Sequence, residues 1–379
     1  MSTVQERIKN PFKPSAGSTP PLLIGRQPAI DSVAESLDDG PGAPGRLTIF
    51  TGARGVGKTV MLNEVEDVAV QKGWLCINET ATTGLVARLD EHMSHLVATR
   101  NPPPRRRITG VSLPLRLGGV NTEPTAERAV DVRRRLSTLL DDLATDRSGL
   151  LITIDEVQSA GRAELREVAT LTQHMIREDR EFALVMAGLP SAVSSLLSDH
   201  VLTFLRRADK QVLSDVPIDQ VHDALVATIE ENGRTIDTHA SQMAAEATGG
   251  YPFLVQLVGY HLWRSTDTHI DLSAVEQGVA AARRRLGSLV HETALSDLSD
   301  VDRTFLMAMS PDDRPSQMGN ILRRMGGVAP QYGNTYRNRL IEAGMIEAVG
   351  HGKVDYALPY LRDFLREHGA SLGLVPSHK

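Results

Sequence analysis

Short apolar runs alternate with longer amphipathic stretches through the first half of the chain. Leu47-Thr48-Ile49-Phe50-Thr51, Trp74-Leu75-Cys76-Ile77-Asn78, Leu150-Leu151-Ile152-Thr153-Ile154 and Phe182-Ala183-Leu184-Val185-Met186-Ala187 lack a polar face, so they read as strands covered on both sides. Asp209-Lys210-Gln211-Val212-Leu213 reads as a last core strand. Helical spacing fills the intervals, first through Ile30, Val33 and Leu37, then over 58–72, 128–145 and 162–178. Strands and helices in alternation predict an α/β fold in which a parallel sheet lies between two helical layers. From about 218 to 289 the pattern becomes wholly helical, which predicts a second domain. Its long helix over 271–286 ends in Arg283-Arg284-Arg285, where cations favour the negative end of the helix dipole.

The flanks differ from this body. Residues 1–20 are polar and rich in proline and predict a flexible arm, with order beginning at Leu22. Asn101-Pro102-Pro103-Pro104 breaks a helix, and Arg105-Arg106-Arg107 then leads into an expected β excursion over 108–117. That arginine run reads either as a solvated rim or as a contact for nucleic acid or another subunit. Residues 299–369 predict a winged helix, with helices over 301–309, 315–325 and 331–343 and strands over 345–349 and 354–358 around the tip Gly350-His351-Gly352-Lys353. Tyr332, Tyr336 and Leu340 are expected to face its core, leaving Gln331, Asn334 and Asn338 outward beside Arg337. The domains expected are therefore an arm over 1–20, a core over 21–215, a helical lid over 216–292 and a winged helix over 293–379.

Composition narrows the classes. With 379 residues, 41% hydrophobic and 23% charged, the chain is an ordinary soluble globular protein of two or three domains. A net charge of −6 argues against nucleic-acid attraction by the whole surface. Locally, Arg314, Arg323, Arg324, Arg337, Arg339 and Lys353 outnumber Glu342 and Glu347 across 314–353. The outer face of the third helix and the tip lysine suit base edges and phosphates, whereas packing against another protein is the alternative use. The single cysteine, Cys76, forbids an intrachain disulfide and is expected to be a buried, inert thiol. No apolar span or signal-peptide core is visible, so no membrane partner and a cytoplasmic location are expected.

The chemistry is carried by two motifs. Gly52-Ala53-Arg54-Gly55-Val56-Gly57-Lys58-Thr59 follows the first strand directly, as a phosphate loop must. Its glycines let backbone N–H groups surround a polyphosphate, Lys58 supplies a cation, and Thr59 offers a hydroxyl to Mg²⁺. The strand ending in Asp155-Glu156 delivers two carboxylates to a sheet edge, where α/β proteins bind ligands. Asp155 is placed for the metal shell and Glu156 for orienting and deprotonating an attacking water. No Asn-Lys-x-Asp guanine-reading motif is present, which makes ATP the expected nucleotide.

With an acid pair following a phosphate loop, the chain resembles the additional-strand catalytic-glutamate division of P-loop ATPases. Over roughly 22–370 it resembles AAA+ ATPases, especially origin-recognition proteins and the neighbouring STAND switch ATPases. The likeness rests on Gly25-Arg26, Arg54 in the phosphate loop, Asp155-Glu156-Val157-Gln158 and Gly249-Gly250-Tyr251-Pro252. It implies a nucleotide site formed by Ile24, Gly25, Arg26, the loop from Gly52 to Val60, and Pro252, with Ile24, Gly25 and Pro252 against the adenine. It also implies an arginine finger, Arg206 or Arg207, offered to a neighbouring copy in a homo-oligomer; an exposed helix-end pair is the plain alternative. Two departures stand out. Met186-Ala187-Gly188-Leu189 lacks a polar sensor at the end of its strand, and Tyr251-Pro252-Phe253 replaces a sensor arginine. The resemblance thus implies a slow ATPase acting as a nucleotide-controlled DNA-binding switch, or alternatively a STAND-like signalling or defence ATPase whose winged helix contacts protein.

Overall fold

Apolar residues on both faces force the three central strands of the core under helices, and the order of the strands decides which ends meet. The computed structural model describes residues 9–15, 17, 20, 23–100, 125–199, 202–265 and 268–369. The arginine run at 105–107, the excursion expected over 108–117 and Leu22 lie outside the described residues. The first part contains α1 (Gln27–Asp39), β1 (Leu47–Thr51), α2 (Lys58–Gln71), β2 (Leu75–Thr80), α3 (Leu85–Arg100), α4 (Thr125–Thr145), β3 (Leu150–Asp155), α5 (Arg162–Arg177), β4 (Phe182–Gly188), α6 (Pro190–Ser198) and β5 (Asp209–Val212). The five strands form one parallel sheet in the order β2-β3-β4-β1-β5. Every residue of β1 and β4 is buried, matching the unbroken apolar runs. β4 therefore separates the strand of the phosphate loop from the strand of the acids. The pairings Thr51 with Gly188 and Ile154 with Met186 keep the three C-terminal ends level.

The next part contains α7 (Ile218–Glu231), β6 (Thr235–Ile236), α8 (Thr238–Thr248), α9 (Pro252–Ser265), β7 (His269–Ile270) and α10 (Leu272–Leu286). It is not wholly helical: β6 and β7 pair in parallel, Thr235 with His269 and Ile236 with Ile270. Two-residue strands carry too little periodicity to be visible in sequence. Asp271 caps α10, its carboxylate accepting from the Ala274 N–H at 2.8 Å.

Residues 9–15 are not a free arm. Phe12 is 3% exposed and sits on α9, where a Cβ on Gly259 would lie 2.3 Å from its ring. Burying such a ring contributes about 1.5–3 kcal/mol. Asn10 donates to Tyr260 O at 3.0 Å, the Lys13 N–H donates to Gln256 at 3.1 Å, and Asn63 of α2 donates to Gly17 O at 2.8 Å. Cys76 is half-buried rather than buried, and burial with Glu66 and Asp67 nearby pushes its thiol up to about 12.

The last part contains α11 (Glu292–Ser296), α12 (Asp300–Met309), β8 (Ser316–Gln317), α13 (Met318–Arg324), α14 (Pro330–Glu342), β9 (Ile346–Gly350), β10 (Lys353–Tyr356) and α15 (Leu361–His368), with the antiparallel order β8-β10-β9. The helix expected over 315–325 starts later, because Ser316 and Gln317 pair with β10. Tyr332 does not face the core: it is 56% exposed, and the buried positions of α14 are Gly333 and Leu340. A Cβ on Gly333 would lie 2.4 Å from Leu322, so the close approach of α13 occupies that side. α14 ends on α6, where Ser191 donates to Glu342 O at 3.4 Å and Leu189 lies beneath Gly344.

A π-helical turn, Gly287–His291, joins α10 to α11. His291 is 1% exposed, lies 5.1 Å from the Phe364 ring centroid, and has Nε2 at 2.9 Å from Pro359 O. A carbonyl only accepts, so Nε2 carries a proton; burial pushes the pKa down to about 4, which makes the ring neutral at pH 7. Between about pH 6.5 and 4 the unfolded chain binds this proton and the folded chain does not. Stability is therefore expected to fall as pH drops through that window, by up to about 3 kcal/mol from this group. Chemical denaturation at pH 7 and pH 4.5 checks this. His291→Gln, which keeps a donor for Pro359 O, is expected to lose distinctly less stability on acidification than the parent chain.

Candidate functional site

The turn after β1 is shaped by three glycines with no room for side chains or with left-handed backbone. A Cβ on Gly52 would lie 2.4 Å from Leu213 O, and one on Gly55 would lie 1.8 Å from the Tyr251 hydroxyl. Gly55 and Gly57 have φ of 76° and 96°, a region that favours glycine. Gly57 opens α2, so the free N–H groups and positive end of that helix face the turn. Lys58 is 6% exposed, and its ammonium donates to Gly52 O at 3.0 Å and Ala53 O at 2.7 Å. Burial pulls its pKa down, with Glu156 and Asp155 opposing and Arg54 adding to the effect.

The acid strand arrives at the same place. Thr59 donates to an Asp155 carboxylate oxygen at 2.5 Å, although β4 lies between their strands. The two groups present adjacent oxygen donors, the chemistry that Mg²⁺ takes. Glu156 has φ 55° and ψ 45°, a left-handed conformation uncommon for a non-glycine residue. Its N–H donates to Asp155 Oδ1 at 2.7 Å, and its carboxylate accepts from Gln158 Nε2.

A cleft of about 660 Å³ opens beside these groups. Among the sequence-predicted residues, Ile24, Arg26, Arg54, Gly55, Val56, Gly57, Lys58, Thr59, Val60, Glu156 and Pro252 line it. Gly52 and Ala53 stand behind it as acceptors for Lys58. Gly25 packs instead near Gln220 of α7, whose side-chain oxygen would be 2.9 Å from an added Cβ. Asp155 borders a neighbouring cavity of about 450 Å³ that shares Thr59. The Arg26 guanidinium is engaged with backbone, donating to Ser214 O and, at 3.5 Å, to Val56 O. Burial lowers its pKa while Asp215 opposes, and burial raises that of Asp215 while Arg26 opposes. Arg206 and Arg207 are not brought to the cleft: both are exposed in a short helical turn, and Arg206 Nε donates to Leu197 O at 2.9 Å.

Several lining residues escape sequence reasoning. Tyr251 is 2% exposed and donates to Arg54 O at 3.0 Å, tying the α8–α9 turn to the phosphate loop. Burial pushes its phenol pKa up. Arg285, Leu289, Val290, Thr293 and Ala294 line the cleft from α10, the π-helical turn and α11, and Lys13, Pro14 and Ser15 from the N-terminal segment. Arg285 was hidden in a run that suits any helix C-terminus, Tyr251 sits in the Gly249-Gly250-Tyr251-Pro252 element without a role assigned to it, and the others belong to no motif.

In the C-terminal part, Gln331, Asn334, Asn338 and Lys353 are exposed, while Arg337 is half-buried and donates to Asn338 at 3.2 Å. The local positive excess is reduced by acids outside that window. Arg324 is bidentate with Asp312, which lowers the pKa of the acid and raises that of the arginine. Arg339 pairs with the buried Asp302.

A phosphate loop on β1, acids on β3 and an intervening β4 define a P-loop nucleoside triphosphatase of the additional-strand type. Residues 22–185 match the family model described as AAA ATPase domain, and residues 288–365 match a domain of unknown function. The fold is similar to that of the Walker-type ATPase paby2304 of Pyrococcus abyssi, at 16% identity and TM-score 0.62, over 91% of this chain and 96% of that one. It is also similar to the Aeropyrum pernix ORC2 protein, solved as ADPNP and ADP complexes, at 15% identity and TM-score 0.61, over 95% and 98% of the two chains. No curated protein matches. Residues 22–185 are thus similar to an AAA ATPase domain, and the chain as a whole has an origin-recognition-like P-loop ATPase fold.

Tyr251→Phe removes the hydroxyl that joins the α8–α9 turn to Arg54 O. Loss of a hydrogen bond of this kind is worth about 0.5–1.5 kcal/mol, so ATP affinity is expected to fall a few-fold with the melting temperature little changed. Isothermal titration with a non-hydrolysable ATP analogue checks this, and unchanged affinity would mean that the contact does not support the bound state.

Proposed function

We propose that this protein binds ATP with Mg²⁺ in the cleft, hydrolyses it slowly through Glu156, and uses the nucleotide state to control a C-terminal winged helix that grips duplex DNA. The contact between Thr59 and Asp155 carries the reading, because it brings two distant motifs to one point beside Lys58 and Glu156. The turn from Gly52 to Val60 surrounds the phosphates, and Lys58 exchanges its carbonyl partners for β/γ oxygens. Thr59 and Asp155 would hold Mg²⁺, which supplies charge neutralisation to the triphosphate when bound. Glu156 orients a water and accepts its proton as the water oxygen bonds the γ phosphorus and ADP departs with the electron pair of the broken bond. Ile24 and Pro252 face the base, Gly25 lets that segment approach α7, and Arg26 braces the loop through Val56 O.

The domain division follows the same reading: a core over 21–215, a lid over 216–292 and a winged helix over 293–379. Arg206 or Arg207 is exposed for delivery to the site of a second copy, where a guanidinium would neutralise γ-phosphate charge. Gln331, Asn334, Arg337 and Asn338 on α14 face DNA, with Lys353 at the wing. Exposure of one side of α14 and of the β9–β10 tip supports this use. Among the described residues no helix is long and apolar enough to cross a membrane, and the reading places the protein in the cytoplasm with its DNA.

Two measurements test the two halves. Glu156→Gln is expected to lower kcat by at least about 100-fold while ATP still binds, and an unchanged kcat would remove Glu156 from its role. DNA affinity of the ATP-bound full chain is expected to fall with salt, and Lys353→Ala to reduce the log–log slope by about one. Nucleotide-dependent assembly without salt-dependent DNA retention would instead indicate a module that docks protein.

A further inference from the structure

We propose that Gln158 is a positioning residue for Glu156 and that it ties this carboxylate to the C-terminal module through Leu189. The inference rests on the reading of Glu156 given above. The end of β4 and the residue after it read Met186-Ala187-Gly188-Leu189, with no polar side chain to fix the attacking site, and Gly188 packs against Val157, the residue after Glu156. Gln158, two residues beyond Glu156 in a short helical turn, supplies the missing polar group.

Geometry assigns the amide's orientation. The Leu189 N–H can only donate, so its partner at 3.1 Å is Gln158 Oε1. Nε2 therefore faces Glu156 and donates to Oε2. Gly188 allows this approach, since a Cβ there would lie 2.2 Å from Val157 and 3.2 Å from Gln158 Oε1. Glu156 itself sits in a left-handed conformation, the kind of strained geometry that persists only when neighbours over-determine it. One carboxylate oxygen held by Gln158 leaves the other in a fixed place for water, which is how a positioned group raises effective concentration.

The same backbone group links outward. Leu189 is 1% exposed and leads into α6. Its side chain lies against Gly344, where an added Cβ would be 3.3 Å away, and Ser191 two residues on donates to Glu342 O. Glu342 and Gly344 mark the end of α14, the helix proposed to face DNA. A shift of α14 thus reaches Glu156 through Leu189 and Gln158, each step a contact in the structure.

Steady-state hydrolysis by the full chain tests the path, with ATP affinity and melting temperature measured in parallel. Gln158→Leu keeps the volume and Gln158→Ala guards against a misfit. Both are expected to lower kcat roughly tenfold with KM and ATP affinity within about twofold, and to add nothing in a Glu156→Gln background. Gly344→Ala, which crowds Leu189, is expected to lower kcat several-fold in the parent chain and not further in Gln158→Leu. A kcat in both Gln158 variants equal to or above that of the parent, while Glu156→Gln abolishes turnover, overturns the proposal and leaves the role of Glu156 standing. Additive effects of Gly344→Ala and Gln158→Leu overturn the link to α14. If Glu156→Gln leaves turnover intact, the underlying reading fails instead.

Discussion

The hydroxyl of Thr59 against the carboxylate of Asp155 is the contact on which the site depends. One group opens α2 and the other closes β3, and β4 stands between the strands that lead to them. They meet because parallel strands in level register end at the same height, and because left-handed glycines fold the phosphate loop back over that edge. Lys58 shows the cost of the arrangement. A buried ammonium is tolerated only because two backbone carbonyls accept from it and the acids on β3 offset its burial.

The sheet was legible in sequence because burial on both faces leaves an unmistakable pattern, and the strands at 47–51, 150–155 and 182–188 appear where their apolar runs lie. The phosphate loop and the acid pair were legible because their chemistry constrains residue type at fixed spacing. What failed to show lacks both kinds of signal. The docking of Phe12 depends on a bare Gly259 in α9, a pairing between two distant single residues that no local periodicity encodes. The pairs β6–β7 and β8–β10 involve two residues on their shorter strand. Tyr332 was misplaced for a physical reason: the close approach of α13 at Gly333 takes the face that a larger residue would otherwise need, so spacing alone pointed to the wrong aromatic.

Charge counted along the chain also misled where structure redistributes it. The C-terminal basic window draws Arg324 to Asp312 and Arg339 to Asp302, leaving less uncommitted charge than the sequence suggests. Both arginines also lie over aromatic or backbone partners: Arg339 is 5.4 Å from the Tyr336 centroid, and Arg324 donates to Ala308 O. These are bonds that set helix against helix. Any phosphate affinity of this module has to come from the cations and amides outside those pairs, such as the exposed Arg314, Arg323 and Lys353 and the outward face of α14.

The segment after α10 runs between the cleft and the C-terminal part of the chain. Leu289, Val290, Thr293 and Ala294 line the nucleotide cleft, while Gly287, His291 and Glu292 line a second cavity, of about 730 Å³, against α15. One stretch of chain, part of it a π-helical turn, thus has one face on the ligand site and the other on the joint. A π turn holds an extra residue in its backbone ladder and is a place where a helix can change register. Tyr360 anchors the far side, donating to Ala247 O at 2.6 Å with the Arg283 guanidinium 4.4 Å above its ring. Ligand binding can move such a joint only by as much as it prefers one arrangement over another. The residues that line the cleft, Leu289, Val290, Thr293 and Ala294, lie on the same backbone that carries His291 into the joint.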